Sequence, residues 1–285
     1  MKGCLISVLA VSLVLSGCRE ELSPPTAPHP RIISFSPALT SIVFEMGLGG
    51  HVVGVTAFCE LPPGQKRQVA GDRQNVNAER ILSLRPDIIL IQQDPKDFNL
   101  IRRMNPNIRI EHFTIEKLDD IAGAIERIGR IAGDQRLGQE RRQRFQNHLT
   151  AVRERVAGRG RPKVLFLTRI DPPSVAGRDS FIHELIELAG GQDATAKYER
   201  WTQINVERIL VARPNVIVCQ SEPGRQQRVI QHLRTLRGLP AVRDGRVFVI
   251  TDRSWTIPSA HMSELAGNLA EMIHPELVEE AARIE

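Results

Sequence analysis

Residues 77–93 read NAERILSLRPDIILIQQ and residues 205–221 read NVERILVARPNVIVCQS, with nine of these 17 positions identical at a constant offset of 128. A recurrence of this kind marks one structural unit used twice. Asn77 and Asn205 stand where a side-chain oxygen caps a helix start. Glu79 and Glu207 fall in the first turn, where unpaired N–H groups favour negative charge. Ile81-Leu82 and Ile209-Leu210 supply a buried side. Pro86 and Pro214 end each helix, because a residue before proline avoids helical backbone. Asp87–Ile91 and Asn215–Cys219 then run as Ile- and Val-rich apolar stretches, as strands buried on both faces do.

The segments around each copy fit the same scheme. Arg31-Ile-Ile-Ser-Phe-Ser reads as an opening strand, and Leu39–Met46 as a helix stopped by Gly47. Lys163-Val-Leu-Phe-Leu-Thr opens the second half, followed by a helix over Phe181–Leu188 that ends at Gly190-Gly191. Strands alternating with helices predict a parallel sheet covered on both faces. The fold class is therefore α/β: two Rossmann-like lobes with central parallel sheets, at 31–133 and 159–285. Between them, at 134–158, Leu137, Phe145, Leu149, Val152 and Val156 recur at near-helical spacing with no proline. This predicts one long rigid α-helix joining the lobes, a ligand cleft between them at the strand ends, and a small opening motion.

Composition removes several function classes. The chain has 285 residues, 41% of them apolar, and a formal charge of +5. Its basic residues are scattered among acids, without a Lys/Arg block interleaved with aromatics, so no nucleic acid is expected as a partner. No nucleophile elbow, phosphate loop, GxGxxG or zinc-hydrolase motif is present, so no catalytic residue is assigned and the protein is not expected to be an enzyme. A cleft enzyme and an anchored scaffold remain as alternatives from other classes. His51, His112, His183 and His261 form no spaced cluster, so no metal site and no cofactor are assigned. Cys59 and Cys219 permit a disulfide by count, and their spacing gives it no support.

Residues 1–17 read as a signal peptide. Lys2 precedes the uncharged run Cys4–Leu15, too short to span a bilayer, which takes about 20 residues. Leu15-Ser16-Gly17-Cys18 resembles a bacterial lipobox, in which Cys18 is lipidated and becomes the mature N-terminus. Residues 18–30 hold Pro24, Pro25, Pro28 and Pro30 and read as an extended tether. The expected location is extracytoplasmic, with the membrane reached through the lipid on Cys18.

Arg31–Phe58, Asn77-x-Glu79-Arg-Ile-Leu-x-Leu-x-Pro86-Asp and Gly177-Arg-Asp-Ser-Phe…Gly190-Gly191 together resemble the helical-backbone solute-binding proteins of ABC importers. The likeness spans residues 31–275. Gly54-Val-Thr-Ala-Phe-Cys-Glu-Leu-Pro-Pro63 and Ile273-His-Pro275 are most similar to the vitamin B12 (corrinoid) binders, with ferric-siderophore and haem binders of the same family as the alternative. The resemblance implies a metal-chelate ligand, a monomer, and an ABC permease and ATPase complex as partner. It implies that Glu79 and Glu207 dock the two lobes on that permease; their symmetry in the repeat suits a two-fold partner. It implies that Phe58 and Trp201 pack a flat macrocycle. Trp255 follows the strand Arg246–Ile250 and has the cleft or the lobe core open to it, and Cys59 is placed to approach a chelated metal. No tryptophan occurs in Ala70–Asn75, and Arg73, Arg169 and Arg253 suit an anionic ligand.

Overall fold

The computed structural model describes residues 29–282, so the signal segment, Cys18 and the tether up to residue 28 lie outside the described residues. The first lobe runs β1 (Ile32–Ser34), α1 (Pro37–Glu45), β2 (Val52–Val55), β3 (Gln68–Val69), α2 (Ala78–Ser83), β4 (Ile88–Ile91), α3 (Asn99–Met104), β5 (Arg109–His112) and α4 (Leu118–Ile131). Helix α5 (Gln135–Arg155) leads to the second lobe. That lobe runs β6 (Lys163–Ile170), β7 (Pro173–Ala176), α6 (Phe181–Leu188), β8 (Gln192–Asp193), β9 (Trp201–Gln203), α7 (Val206–Ala212) and β10 (Val216–Gln220). It finishes with α8 (Gln226–Arg234), α9 (Pro240–Arg243), β11 (Val247–Ile250), α10 (Met262–Ile273) and α11 (Glu276–Ala282).

The two copies of the repeat fold alike. Asn77 Oδ1 accepts a hydrogen bond from Arg80 N at 2.9 Å, and Asn205 Oδ1 accepts one from Arg208 N at 3.1 Å. Each helix ends on an arginine in the left-handed region, Arg85 at φ 46° and Arg213 at φ 48°, immediately before its proline. Left-handed backbone is uncommon outside glycine, so its recurrence shows the same forced exit in both lobes. The residue after each proline then pins the first strand of its own sheet. Asp87 Oδ2 accepts from Arg31 N at 2.7 Å, and Asn215 Oδ1 accepts from Lys163 N at 2.9 Å.

The first sheet has the order β3-β2-β1-β4-β5, parallel throughout. The second has β11-β10-β6-β7-β9, with β8 beside the start of β6. In it β7 pairs antiparallel with both β6 and β9, so this sheet is mixed where the pattern predicts a parallel one. The chain turns straight back after Ile170 through Asp171-Pro172, too short a connection for a parallel crossover. The central strands β4 and β10 are buried along their apolar runs, as expected of strands covered by helices on both faces.

Helices α4 and α5 form the joint. Gly129 of α4 faces Gly138 of α5 so closely that a Cβ on Gly129 would lie 2.5 Å from the Gly138 Cα. At about 1.5 Å per residue, the 21 residues of α5 extend about 31 Å. One continuous apolar core threads the molecule, from Leu39 and Ile42 in the first lobe through Ile125, Ile128 and Phe145 to Phe166, Ile182 and Leu269 in the second.

Cys59 and Cys219 are both free thiols. Burial within β10 pushes the Cys219 thiol up to about 12. Because the thiolate is the reactive form, an alkylating reagent at about pH 8 is expected to leave Cys219 unmodified in the folded chain. Mass spectrometry should find it labelled only after denaturation; labelling at the rate of an exposed thiol would contradict this burial.

Candidate functional site

In a parallel sheet, ligands gather where neighbouring strands send their connections to opposite faces, beyond the strand C-termini. The first sheet has such a point between β1 and β4, and the second between β6 and β10. A cavity lies at each. The first, about 490 Å³, is lined by Phe35, Ser36, Thr56, Phe58, Gln92 and Gln93, together with Arg73. The second, about 760 Å³, is lined by Thr168, Arg169, Asp171, Gln220, Ser221 and Arg253, and again by Phe58. Phe58 borders both cavities and is 55% exposed, so it carries a bare aromatic face into the space between the lobes.

Polar contacts cross from lobe to lobe. Arg253 Nη1 meets Glu60 Oε1 at 3.0 Å. Arg200 Nη1 meets Glu116 Oε1 at 3.1 Å, and Glu184 Oε2 accepts from Leu118 N at 2.7 Å, capping the first turn of α4 from the other lobe. These ties and the shared core favour the small excursion that a helical connector predicts.

The residues singled out from the sequence divide into groups. Phe58, Arg73, Arg169 and Arg253 line the cavities. Arg169 is held by Pro172 O at 3.4 Å and Ser174 Oγ at 3.3 Å. Among the described residues neither Arg73 nor Arg169 has a carboxylate partner, so each presents its full charge to the cleft. Trp201 is 54% exposed on the edge strand β9, its ring 5.9 Å from that of Phe181, and it lines neither cavity.

Trp201 thus stands outside the cavities where the sequence reading expects it, and two further residues are placed away from them. Trp255 is 4% exposed and packs against Phe166 at 6.2 Å, inside the core. The short helical turn Arg253–Thr256 points Arg253 and Thr256 at the cleft and turns the indole inward. Cys59 lies behind the cleft wall. Its Sγ sits 3.1 Å from both Thr40 Oγ1 and Thr56 Oγ1 and does not line either cavity.

Glu79 and Glu207 are exposed at the starts of α2 and α7 and enter no ion pair among the described residues. A helix leading into a parallel strand runs back along it, so both starts lie at the cleft end of their sheets.

Gln92, Gln93, Gln220, Ser36 and Thr168 belong to the site without having been singled out. The signal available was the end of the repeat itself, where apolar strands give way to Gln92-Gln93 and Gln220-Ser221 at equivalent positions.

A further cavity of about 770 Å³ runs under α5 between α4 and α6. Among its lining side chains, Arg161 pairs with Glu187 and His183 shares a hydrogen bond with Asp193. Among the described residues, no three His, Cys, Asp or Glu side chains converge to hold a metal ion, and no helix is long and apolar enough to cross a membrane.

Two α/β lobes that meet at their strand ends around a shared open space, on a helical joint, define a two-lobed binding protein. The chain belongs to the periplasmic binding protein family, whose model matches residues 32–254. It is 28% identical over 201 residues to the vitamin B12-binding protein of Yersinia pseudotuberculosis, covering 69% of this chain and 71% of that relative. It is 24% identical over 259 residues to the uncharacterized ABC transporter substrate-binding lipoprotein YvrC of Bacillus subtilis, covering 88% of this chain and 82% of the relative. Its fold is shared with the periplasmic haem-binding protein HutB of Vibrio cholerae, with a TM-score of 0.76 at 19% identity over 87% of this chain and 100% of that one.

Proposed function

We propose that this chain is the extracytoplasmic solute-binding lipoprotein of an ABC importer and carries a corrinoid in the cleft between its lobes. The observation that carries the reading is the pair of opposed cavities at the two sheet switch points, with Phe58 common to both. Together they suit a broad ligand gripped from two sides by apolar contact and a few polar groups. The likeness to a vitamin B12-binding protein supports the corrinoid. The likeness to a substrate-binding lipoprotein supports lipidation at Cys18 and an ABC permease and ATPase as partners. In this reading Phe58, Arg73 and Arg169 touch the ligand, Glu79 and Glu207 meet the permease, and the chain binds without converting its ligand.

A second reading, an anionic chelate such as haem or a ferric siderophore, is favoured by one feature. Arg73 and Arg169 stand on opposite cavity walls without carboxylate partners among the described residues, ready for propionates or carboxylates.

Titration calorimetry of the soluble form, residues 19–285, against cobalamin, haem and ferric siderophores decides between them. Binding at one site with no turnover is expected. At 100 times the dissociation constant the ligand should stabilise the fold by about 2.7 kcal/mol. Saturation by haem alone would overturn the corrinoid reading, and conversion of any bound ligand would overturn the binding-protein reading.

A further inference from the structure

Three consecutive residues of the first lobe each meet a polar group of the second. Glu116 Oε1 lies 3.1 Å from Arg200 Nη1, Lys117 Nζ lies 4.0 Å from Asp179 Oδ1, and Leu118 N donates to Glu184 Oε2 at 2.7 Å. Leu118 opens α4, and the first amides of a helix have no acceptor within it. A carboxylate from the other lobe therefore satisfies this end and places favourable charge on it. A fourth contact joins Arg253 Nη1 to Glu60 Oε1 at 3.0 Å.

Sheet order puts these contacts on two flanks. In the first sheet, β5 leads to residues 116–118 on the β4 side of the switch point, and β2 leads to Glu60 on the β1 side. In the second, Asp179 follows β7 and Arg200 precedes β9 on the β6 side, and β11 leads to Arg253 on the β10 side. A rotation that parts the lobes must break contacts on at least one flank. A ligand that touches both cavities has to pass between the lobes to reach them. The ion-paired side chains are all exposed, so each pair is individually weak and is screened by salt. Such contacts can open and re-form readily.

We propose that residues 116–118 with Asp179, Glu184 and Arg200 on one flank, and Glu60 with Arg253 on the other, form an ionic clasp that holds the lobes together and gates the entry of ligand. This rests on the reading of the chain as a binding protein whose ligand lies between the lobes. Salt slows associations steered by opposite charges. Here it should speed the association of a ligand that carries no net charge, because it loosens the clasp.

The test uses the soluble form and a double variant, Glu60→Gln with Arg200→Gln, which removes one partner on each flank and leaves the net charge unchanged. Measurements are made at about 10 mM and about 500 mM sodium chloride, weak and strong screening respectively. Two quantities are read: the association rate of dicyanocobinamide, a corrinoid without net charge, and the hydrogen-exchange rate of the Leu118 amide without ligand. In the parent, added salt should speed both by about threefold or more, and the variant should already be that much faster at low salt and respond little. An association rate that salt leaves unchanged in the parent, or that is equal in parent and variant, would overturn the clasp. So would a Leu118 amide that exchanges equally fast in both proteins. If the parent does not bind dicyanocobinamide, the corrinoid reading falls, and the Leu118 amide alone decides the clasp.

Discussion

Glu79→Lys and Glu207→Lys together should reduce ligand uptake by cells by about a hundredfold or more, while the affinity of the isolated protein for its ligand stays unchanged within a factor of about two. Both carboxylates are exposed, both start a helix at the cleft end of a sheet, and neither is engaged by a cation among the described residues. Reversing them places like charge against any basic docking pocket, which costs several kcal/mol, and each 1.4 kcal/mol is about a factor of ten. The ligand cavities are lined by other residues, so calorimetry should show no loss. Although first-turn acids favour their helices, the effect at exposed sites is small, so each single variant should melt only a few degrees below the parent. An equal fall in uptake and affinity would move these residues into the cleft and remove the docking role.

The second large effect concerns the joint. Gly138→Ala is expected to destabilise the fold by about 2–3 kcal/mol and lower the melting temperature by roughly 4–10 °C. A Cβ there would lie 2.7 Å from Glu126 O and 3.2 Å from the Gly129 Cα, atoms of the facing helix backbone that no rotamer change can clear. Helices α4 and α5 must then separate, which opens the core beneath them and shifts one lobe relative to the other. Alanine ordinarily favours a helix over glycine by about 1 kcal/mol, so a stabilised variant would show that the helices are not in close contact. Gly123, also in α4, has open space around its Cα and serves as the control, since Gly123→Ala should be neutral or stabilising.

Much of this architecture is legible in the sequence because the duplicated segment carries several independent signals. Asn77 and Asn205 cap, Pro86 and Pro214 stop, and the Ile/Val runs fill the central strands, each as its residue type dictates. The connector is legible for the same reason, from apolar spacing uninterrupted by proline. Strands β7 and β9 escape detection. They have four and three residues, Pro173 opens the first, and their pairing is fixed by the turn at Asp171-Pro172 rather than by periodicity.

The site is less legible than the fold. Phe58 and Arg73 announce themselves as an aromatic and a cation on loops after strands, and Arg169 as a cation near the end of β6, whereas the cleft glutamines look like ordinary loop starts. Trp255 and Cys59 show the opposite failure. Each stands at a plausible sequence position, and each is turned inward by local geometry, a helical turn for the indole and a pair of threonine hydroxyls for the thiol. Which side of a loop faces the ligand depends on contacts that come from distant segments.

The apolar core that runs unbroken from Leu39 to Leu269 has a thermodynamic consequence. Each lobe keeps an apolar cluster of its own, around Ile81 and Phe98 in the first and around Ile209 and Leu233 in the second, but the core that joins them is shared, so the lobes should melt in one cooperative transition, and a chain cut at residue 134 should yield two fragments that each expose the apolar face the other had covered. Free energy released by a ligand between the lobes is then shared by every residue, and even a probe placed on the far edge of either sheet would register its arrival.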